Sequence, residues 1–145
     1  MPVFIFHNKP FVYTIVPDGA WVFDDFDISS MDLTSLNGLP ERFCVSGNFY
    51  CFNNKLTSLN GLPEGFVVGG HFDCHHNKLT SLVGLPRGLS VSGSFYCSYN
   101  KLTSLCGLPD GFRLGGDFVC THNSLTDICG IPESVLRGRI IRKAS

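Results

Sequence analysis

The chain is poor in charge. Of its 145 residues only 16% are Asp, Glu, Lys or Arg, and 11 basic against 12 acidic side chains leave a net charge of −1. So even a balance argues against a generic polyanion binder, and nucleic acid is not an expected partner. Long apolar runs are missing too. None approaches the ~18 residues that a membrane-spanning helix needs, so no membrane partner is expected. The opening Met1-Pro2-Val3-Phe4-Ile5-Phe6 has no basic start of a secretion signal and is broken by His7-Asn8-Lys9-Pro10. There is no Asn-x-Ser/Thr acceptor and no Cys-x-x-Cys pair, and the cysteines number seven, an odd total. A reducing, cytoplasmic setting is the expectation. Catalytic signatures are also lacking. There is no Gly-x-Ser-x-Gly, no phosphate loop, and no nucleophile with an evident base and orienting partner, so no enzyme, catalytic residue or cofactor is expected.

What the chain has is a repeat. Leu33, Leu56, Leu79, Leu102 and Leu125 open five copies of Leu-Thr-Ser-Leu or a close variant, at one constant spacing. The unit reads Leu-Thr-Ser-Leu-x-Gly-Leu-Pro-x-Gly-Phe-x-Val-x-Gly-x-Phe-x-Cys-x-x-Asn-x, and Leu56 to Lys78 matches every fixed position. A fixed period of this length marks a stacked array, in which repeated positions are buried and variable ones displayed. Val68, Gly70, Phe72 and Cys74 alternate with Gly69, His71, Asp73 and His75, the period-2 pattern of a half-buried strand. The inward set recurs as Val45-Gly47-Phe49-Cys51, Val91-Gly93-Phe95-Cys97 and Leu114-Gly116-Phe118-Cys120. One strand per period, always in the same direction, predicts a parallel sheet climbing about 4.8 Å per coil.

The remainder closes the coil. Leu62-Pro63-Glu64-Gly65 suits a type I turn with proline second and glycine fourth, and the return path is expected to hold turns or a single 3₁₀ turn. Asn54, Asn77, Asn100 and Asn123 stand just past the strands and are expected to form a structural ladder, bonding backbone groups of their own and adjacent coils. Cys51, Cys74, Cys97 and Cys120 fall in one inward column as small hydrophobes whose parallel Cβ vectors disfavour disulfides, while Cys106 and Cys129 share another.

A single domain, 1–145, follows. Residues 1–32 form a cap, with a hairpin from Val3–Phe6 and Phe11–Val16 and a half-repeat in which Val22, Phe26 and Ile28 take the inward slots. Residues 33–132 are the repeats. Residues 133–145 are a basic C-terminal cap strand, with Leu136, Gly138 and Ile140 inward if one residue is deleted after Pro132, and Arg142 in the cysteine slot. Acidic residues gather at the start (Asp18, Asp24, Asp25, Asp27, Asp32) and basic ones at the finish (Arg137, Arg139, Arg142, Lys143), which leaves end-to-end self-association open beside a solvated cap.

Phe72-Asp73-Cys74-His75-His76-Asn77-Lys78-Leu79 resembles the leucine-rich-repeat core L-x-L-x-x-N-x-L, with Phe and Cys in leucine slots. The Leu-Thr-Ser-Leu-x-Gly-Leu-Pro continuation is similar to the short repeats of bacterial effector proteins, and closer still to compact repeat proteins of phages and large viruses. The fold class expected is therefore a mainly β repeat solenoid, leucine-rich-repeat-like, with short parallel strands, turn or 3₁₀ returns and a hairpin cap. The resemblance implies a protein partner bound on the strand face, and a viral or bacterial origin. The chain departs from the family where Gly69 or Ser92 replaces a leucine, which leaves either a horseshoe or a straighter stack.

Function is then sought among outward positions: Asn48, Tyr50, Phe52, Asn53; His71, Asp73, His75, His76; Ser94, Tyr96, Ser98, Tyr99; Asp117, Val119, Thr121, His122. Of these, Asn48, Tyr50, Phe52, His71, Asp73, His75, His76, Tyr96, Tyr99, Asp117 and His122 are the candidate partner-binding residues, because Tyr, Phe, His and Asp make specific contacts. His71, Asp73 and His75 invite a metal. Alternate positions on a flat strand, however, lie about 6.7 Å apart and do not converge, so a polar binding face is the reading and no metal is assigned. A ladder of Thr34, Thr57, Thr80, Thr103 and Thr126 beside serines suggests ice or carbohydrate, but adjacent Thr-Ser pairs fit turn hydrogen bonding better. The expected function is a non-catalytic protein-interaction module, one that modulates a host factor in host cytoplasm if the chain is viral. A small-ligand or nucleotide binder on the same face, and a purely structural or self-assembling stack, are the alternatives.

Overall fold

A computed structural model describes residues 1–126, 131 and 140–141. At the N-terminus β1 (Val3–Phe6) and β2 (Lys9–Val12) form an antiparallel hairpin. Beyond it each repeat makes one coil, and about four coils stack into a β-solenoid with no helix among the described residues. The expected single strand per coil is in fact two. One sheet runs β3 (Thr14–Ile15), β4 (Trp21–Phe23), β6 (Phe43–Val45), β8 (Val67–Val68), β10 (Ser90–Val91) and β12 (Arg113–Leu114), parallel except for β3. The other runs β5 (Phe26–Asp27), β7 (Phe49–Tyr50), β9 (Phe72–Asp73), β11 (Phe95–Tyr96), β13 (Phe118–Val119) and β14 (Ile140–Ile141), with Phe49, Phe72, Phe95 and Phe118 in register.

The strand breaks because its glycine sits at a corner. A Cβ on Gly70 would lie 2.3 Å from Asn48 Oδ1, and on Gly93 2.6 Å from His71 Nδ1. The coil below occupies that space with this side chain and with a backbone carbonyl, Gly47 O at 2.9 Å and Gly70 O at 2.7 Å, so only glycine fits. That side chain also bonds the chain above it. Asn48 N donates to Asp25 Oδ1 (2.7 Å), His71 N to Asn48 Oδ1 (2.8 Å), Ser94 N to His71 Nδ1 (2.9 Å) and Asp117 N to Ser94 Oγ (2.9 Å). Where the chain turns and its N–H loses a sheet partner, a side-chain acceptor replaces it.

The core is built from columns. Phe26, Phe49, Phe72, Phe95 and Phe118 are fully buried, with ring centroids 4.8–5.9 Å apart from coil to coil. Phe43, Phe66, Leu89 and Phe112 form a second buried column, and Cys51, Cys74, Cys97 and Cys120 a third. Cys129 lies outside the described residues. Burial, and then the neighbouring thiols, push Cys74 and Cys97 well above the ordinary thiol range.

On the return path the turn is shifted by one residue from expectation. Leu89 N bonds Pro86 O and Phe112 N bonds Pro109 O, so proline opens the turn and Gly88 and Gly111 stand third, with φ +70 and +72. A turn with positive φ at its third position requires glycine there, which a type I turn does not. A second turn precedes it, Leu85 N to Leu82 O, with Gly84 third at φ +108. Ser35, Ser58, Ser81 and Ser104 each accept from the N–H two residues on, at 3.4 Å, while Thr34, Thr57, Thr80 and Thr103 are exposed.

The asparagines form a ladder between coils. Asn54 Oδ1 accepts from Met31 N and Leu33 N, and its Nδ2 donates to Ile28 O and Cys51 O, at 2.9–3.0 Å. Asn77 accepts from Leu56 N and donates to Cys51 O and Cys74 O. Asn100 and Asn123 accept in the same way from Leu79 N and Leu102 N.

The turn of the N-terminal hairpin is only His7 and Asn8, both at positive φ, so Lys9 and Pro10 belong to the strand. The expected second strand, 11–16, is divided: Thr14–Ile15 leaves the hairpin and covers the edge of β4 antiparallel. Phe23, not Val22, fills the inward slot, pairing with Val45. The corner here is Asp24-Asp25 alone, one residue shorter than Ser46-Gly47-Asn48. At the other end Ile140 pairs with Phe118, one residue short of the interval that separates Phe118 from Phe95. Leu136, Gly138 and Arg142 lie outside the described residues. Among the described residues no helix is long and apolar enough to cross a membrane.

Candidate functional site

The outward positions of β7, β9, β11, β13 and the turn after them form four columns at the repeat period. Their environments differ sharply. The corner column holds Asn48, His71, Ser94 and Asp117. The first three of these cap the next coil, so Asn48 and His71 carry structural bonds as well as surface. Ser94 is 8% exposed and so is Ser98, whose Oγ accepts from Thr121 N and from the Thr121 hydroxyl. These two serines, read from sequence as outward, belong to the framework.

The strand column is Tyr50, Asp73, Tyr96 and Val119, all half-buried. Tyr50's phenol is raised from its ordinary value, first by desolvation and then by the Asp25, Asp73 and Asp27 carboxylates. Asp73 is engaged: its Oδ1 lies 2.5 Å from His75 Nδ1 and accepts from His75 N at 3.1 Å. That contact turns the His75 ring against Phe52, stacked at 4.7 Å and 14°.

The geometry of the fourth column was not legible in sequence. Ser30, Asn53, His76, Tyr99 and His122 all adopt left-handed backbone, φ 51 to 54. Asparagine and histidine are among the side chains that accept it best; for tyrosine it costs about 1–2 kcal/mol. The rings compensate by stacking, His76 on Tyr99 at 4.3 Å and 9°, Tyr99 on His122 at 4.1 Å and 7°. The stack is open to solvent, Tyr99 being 46% exposed. The only sequence signal was one repeating position, just before the invariant asparagine, filled in turn by Asn, His, Tyr and His.

Linked through Tyr50–Phe52 (5.7 Å) and His75–His76 (5.1 Å), the contacts run unbroken: Tyr50, Phe52, His75, His76, Tyr99, His122. The structure thus brings six candidates into one aromatic stripe and joins Asp73 to it. Tyr96 stands beside it against His71 at 5.6 Å. Among the described residues no group of three or more His, Cys, Asp or Glu side chains is placed to hold a metal ion. His71 does not converge with His75, because its Nδ1 is committed to Ser94 N. A surface cavity of about 250 Å³ lies elsewhere, lined by Asp18, Arg42, Phe43, Cys44, Glu64 and neighbours, and no stripe residue lines it.

No protein-family model matches the chain, and no curated protein matches it. What stands of the resemblance to leucine-rich repeats is a β-solenoid of ~23-residue spacing.

Proposed function

We propose that the chain is a non-catalytic interaction module that binds a protein partner through the outward face of the second sheet. The observation that carries this reading is the aromatic stripe. Six rings in continuous contact lie on the surface, three of them on the left-handed turn that recurs from coil to coil. The core has no use for them, since the coil already buries its Phe, Leu and Cys columns. Solvent-facing rings with polar edges are the side chains that anchor protein interfaces. The resemblance to phage, large-virus and effector repeats supports a viral or bacterial origin, a cytoplasmic site of action and a host factor as the partner.

The test is affinity capture from host lysate with the intact chain and with a Phe52→Ser/Tyr99→Asn/His122→Asn variant. A partner retained by the first and lost by the second is expected. Back-face changes, Thr57→Ala with Glu64→Ala, should retain it. Loss with the back-face variant and retention with the stripe variant would refute the assignment.

A further inference from the structure

Resting on that reading, we infer that what the stripe takes is an acidic, extended segment of its protein partner, laid along the stacking axis. Two independent features point to it. The first is which part of each ring is open. At 4.1–4.3 Å and within 9° of parallel, Tyr99 has both faces covered, by His76 and by His122, each of which gives up one face to it, and all three offer solvent their edges. Ring edges are the positive part of the aromatic quadrupole, and these carry imidazole N–H and phenol O–H donors besides. Edges recruit acceptors: carboxylates and backbone carbonyls.

The second feature is a lysine column. Lys55, Lys78 and Lys101 recur two residues after Asn53, His76 and Tyr99, and all are exposed. Lys78 N bonds Leu56 O at 2.9 Å and Lys101 N bonds Leu79 O at 2.8 Å, so the column climbs in register with the rings, about 4.8 Å per coil. Lys55 is paired with Asp32 at 3.1 Å. Lys78 and Lys101 have no ion-pair partner among the described residues. Of the carboxylates around Tyr50, Asp73 is held by His75, Asp25 accepts from Asn48 N and Asp27 accepts from Ser29. The unpaired cations therefore stand two residues beyond His76 and Tyr99, each in the same coil as its ring, on a chain whose net charge is −1. A single-stranded nucleic acid fits less well. It binds by stacking bases on open ring faces, and here both faces of Tyr99, the central ring, are covered.

A random 12-residue peptide display library selected on the immobilised full chain tests this. The enriched peptides are then measured by fluorescence anisotropy against wild type, Lys78→Gln/Lys101→Gln and Tyr99→Asn, with a 20-nucleotide oligo-dT as the nucleic-acid probe. Asparagine is chosen at 99 because it accepts left-handed backbone. Enrichment in Asp and Glu is expected. The lysine variant should weaken binding about tenfold, as two exposed charge pairs of modest strength would give, with most of that loss erased at high salt. Neutral or basic peptides, an affinity within twofold on the lysine variant, or oligo-dT bound more tightly than every peptide would each overturn the acidic assignment. If selected peptides ignore the lysines yet lose affinity for Tyr99→Asn, the stripe stands and only its partner class falls. Peptides that bind Tyr99→Asn as well as wild type, or no enrichment at all, would remove both.

Discussion

Replacing Asn77 by alanine isolates what one rung of the asparagine ladder contributes. The wild-type amide accepts from Leu56 N at 3.0 Å and donates to Cys51 O and Cys74 O at 3.0 and 3.1 Å. The carbonyls keep a partner after truncation, because Asn54 Nδ2 also reaches Cys51 O and Asn100 Nδ2 also reaches Cys74 O. The buried Leu56 N–H loses its acceptor. One orphaned buried donor costs about 1–3 kcal/mol. Asn54→Ala is worse, since Met31 N and Leu33 N both lose their acceptor and Ile28 O loses its donor. It should exceed Asn77→Ala by about 1 kcal/mol or more. Urea unfolding at constant slope measures both. A midpoint unchanged in Asn77→Ala, or the reverse ranking, would refute the view that the ladder serves buried backbone.

Other outcomes follow from the packing. A thiol reagent at neutral pH should label exposed Cys106 at once and Cys51, Cys74, Cys97 and Cys120 only at the rate of opening; fast labelling of the four would reverse the sense of the strand. Because burial raises the Cys51, Cys74 and Cys97 thiols above their ordinary 9.0, the unfolded chain releases those protons first, and stability should fall as pH rises past about 9. The slope should approach ~4 kcal/mol per pH unit for three thiols, and a flat profile to about pH 10.5 in reductant would contradict it. Gly70→Ala should cost about 1–3 kcal/mol by driving a Cβ against Asn48 Oδ1, and in the Asn48→Ala/Gly70→Ala double variant the penalties should be less than additive; strict additivity would place the strain elsewhere. Tyr99→Asn should leave the urea midpoint nearly unchanged, the relieved backbone strain offsetting the lost ring contacts, and a large drop would mean the stack holds the fold.

The framework was legible because a constant period repeats each physical demand. Asn54, Asn77, Asn100 and Asn123 announce a backbone need, and the Phe and Cys columns announce an interior. The corner was misread for a definite reason. Gly47, Gly70, Gly93 and Gly116 fall on the inward beat of a period-2 pattern, so a strand seems to run through them. Their actual constraint comes from one coil earlier, from the side chain of Asp25, Asn48, His71 or Ser94 and from the carbonyl of the residue before it. The signal was present in the acceptor that always precedes the invariant Phe: Asp25, Asn48, His71, Ser94, Asp117.

Local chemistry sufficed for the solenoid, its parallel register, its buried columns and the hairpin cap. Those features follow from alternation, turn residues and period. The stripe is of another kind. His76, Tyr99 and His122 come from three successive coils, and their meeting depends on left-handed backbone that turns each ring along the stacking axis. Likewise His71 serves as a cap only because Ser94 N lies above it. Contacts between coils select among side-chain directions that the chain alone leaves equal, and it is those directions that make a surface.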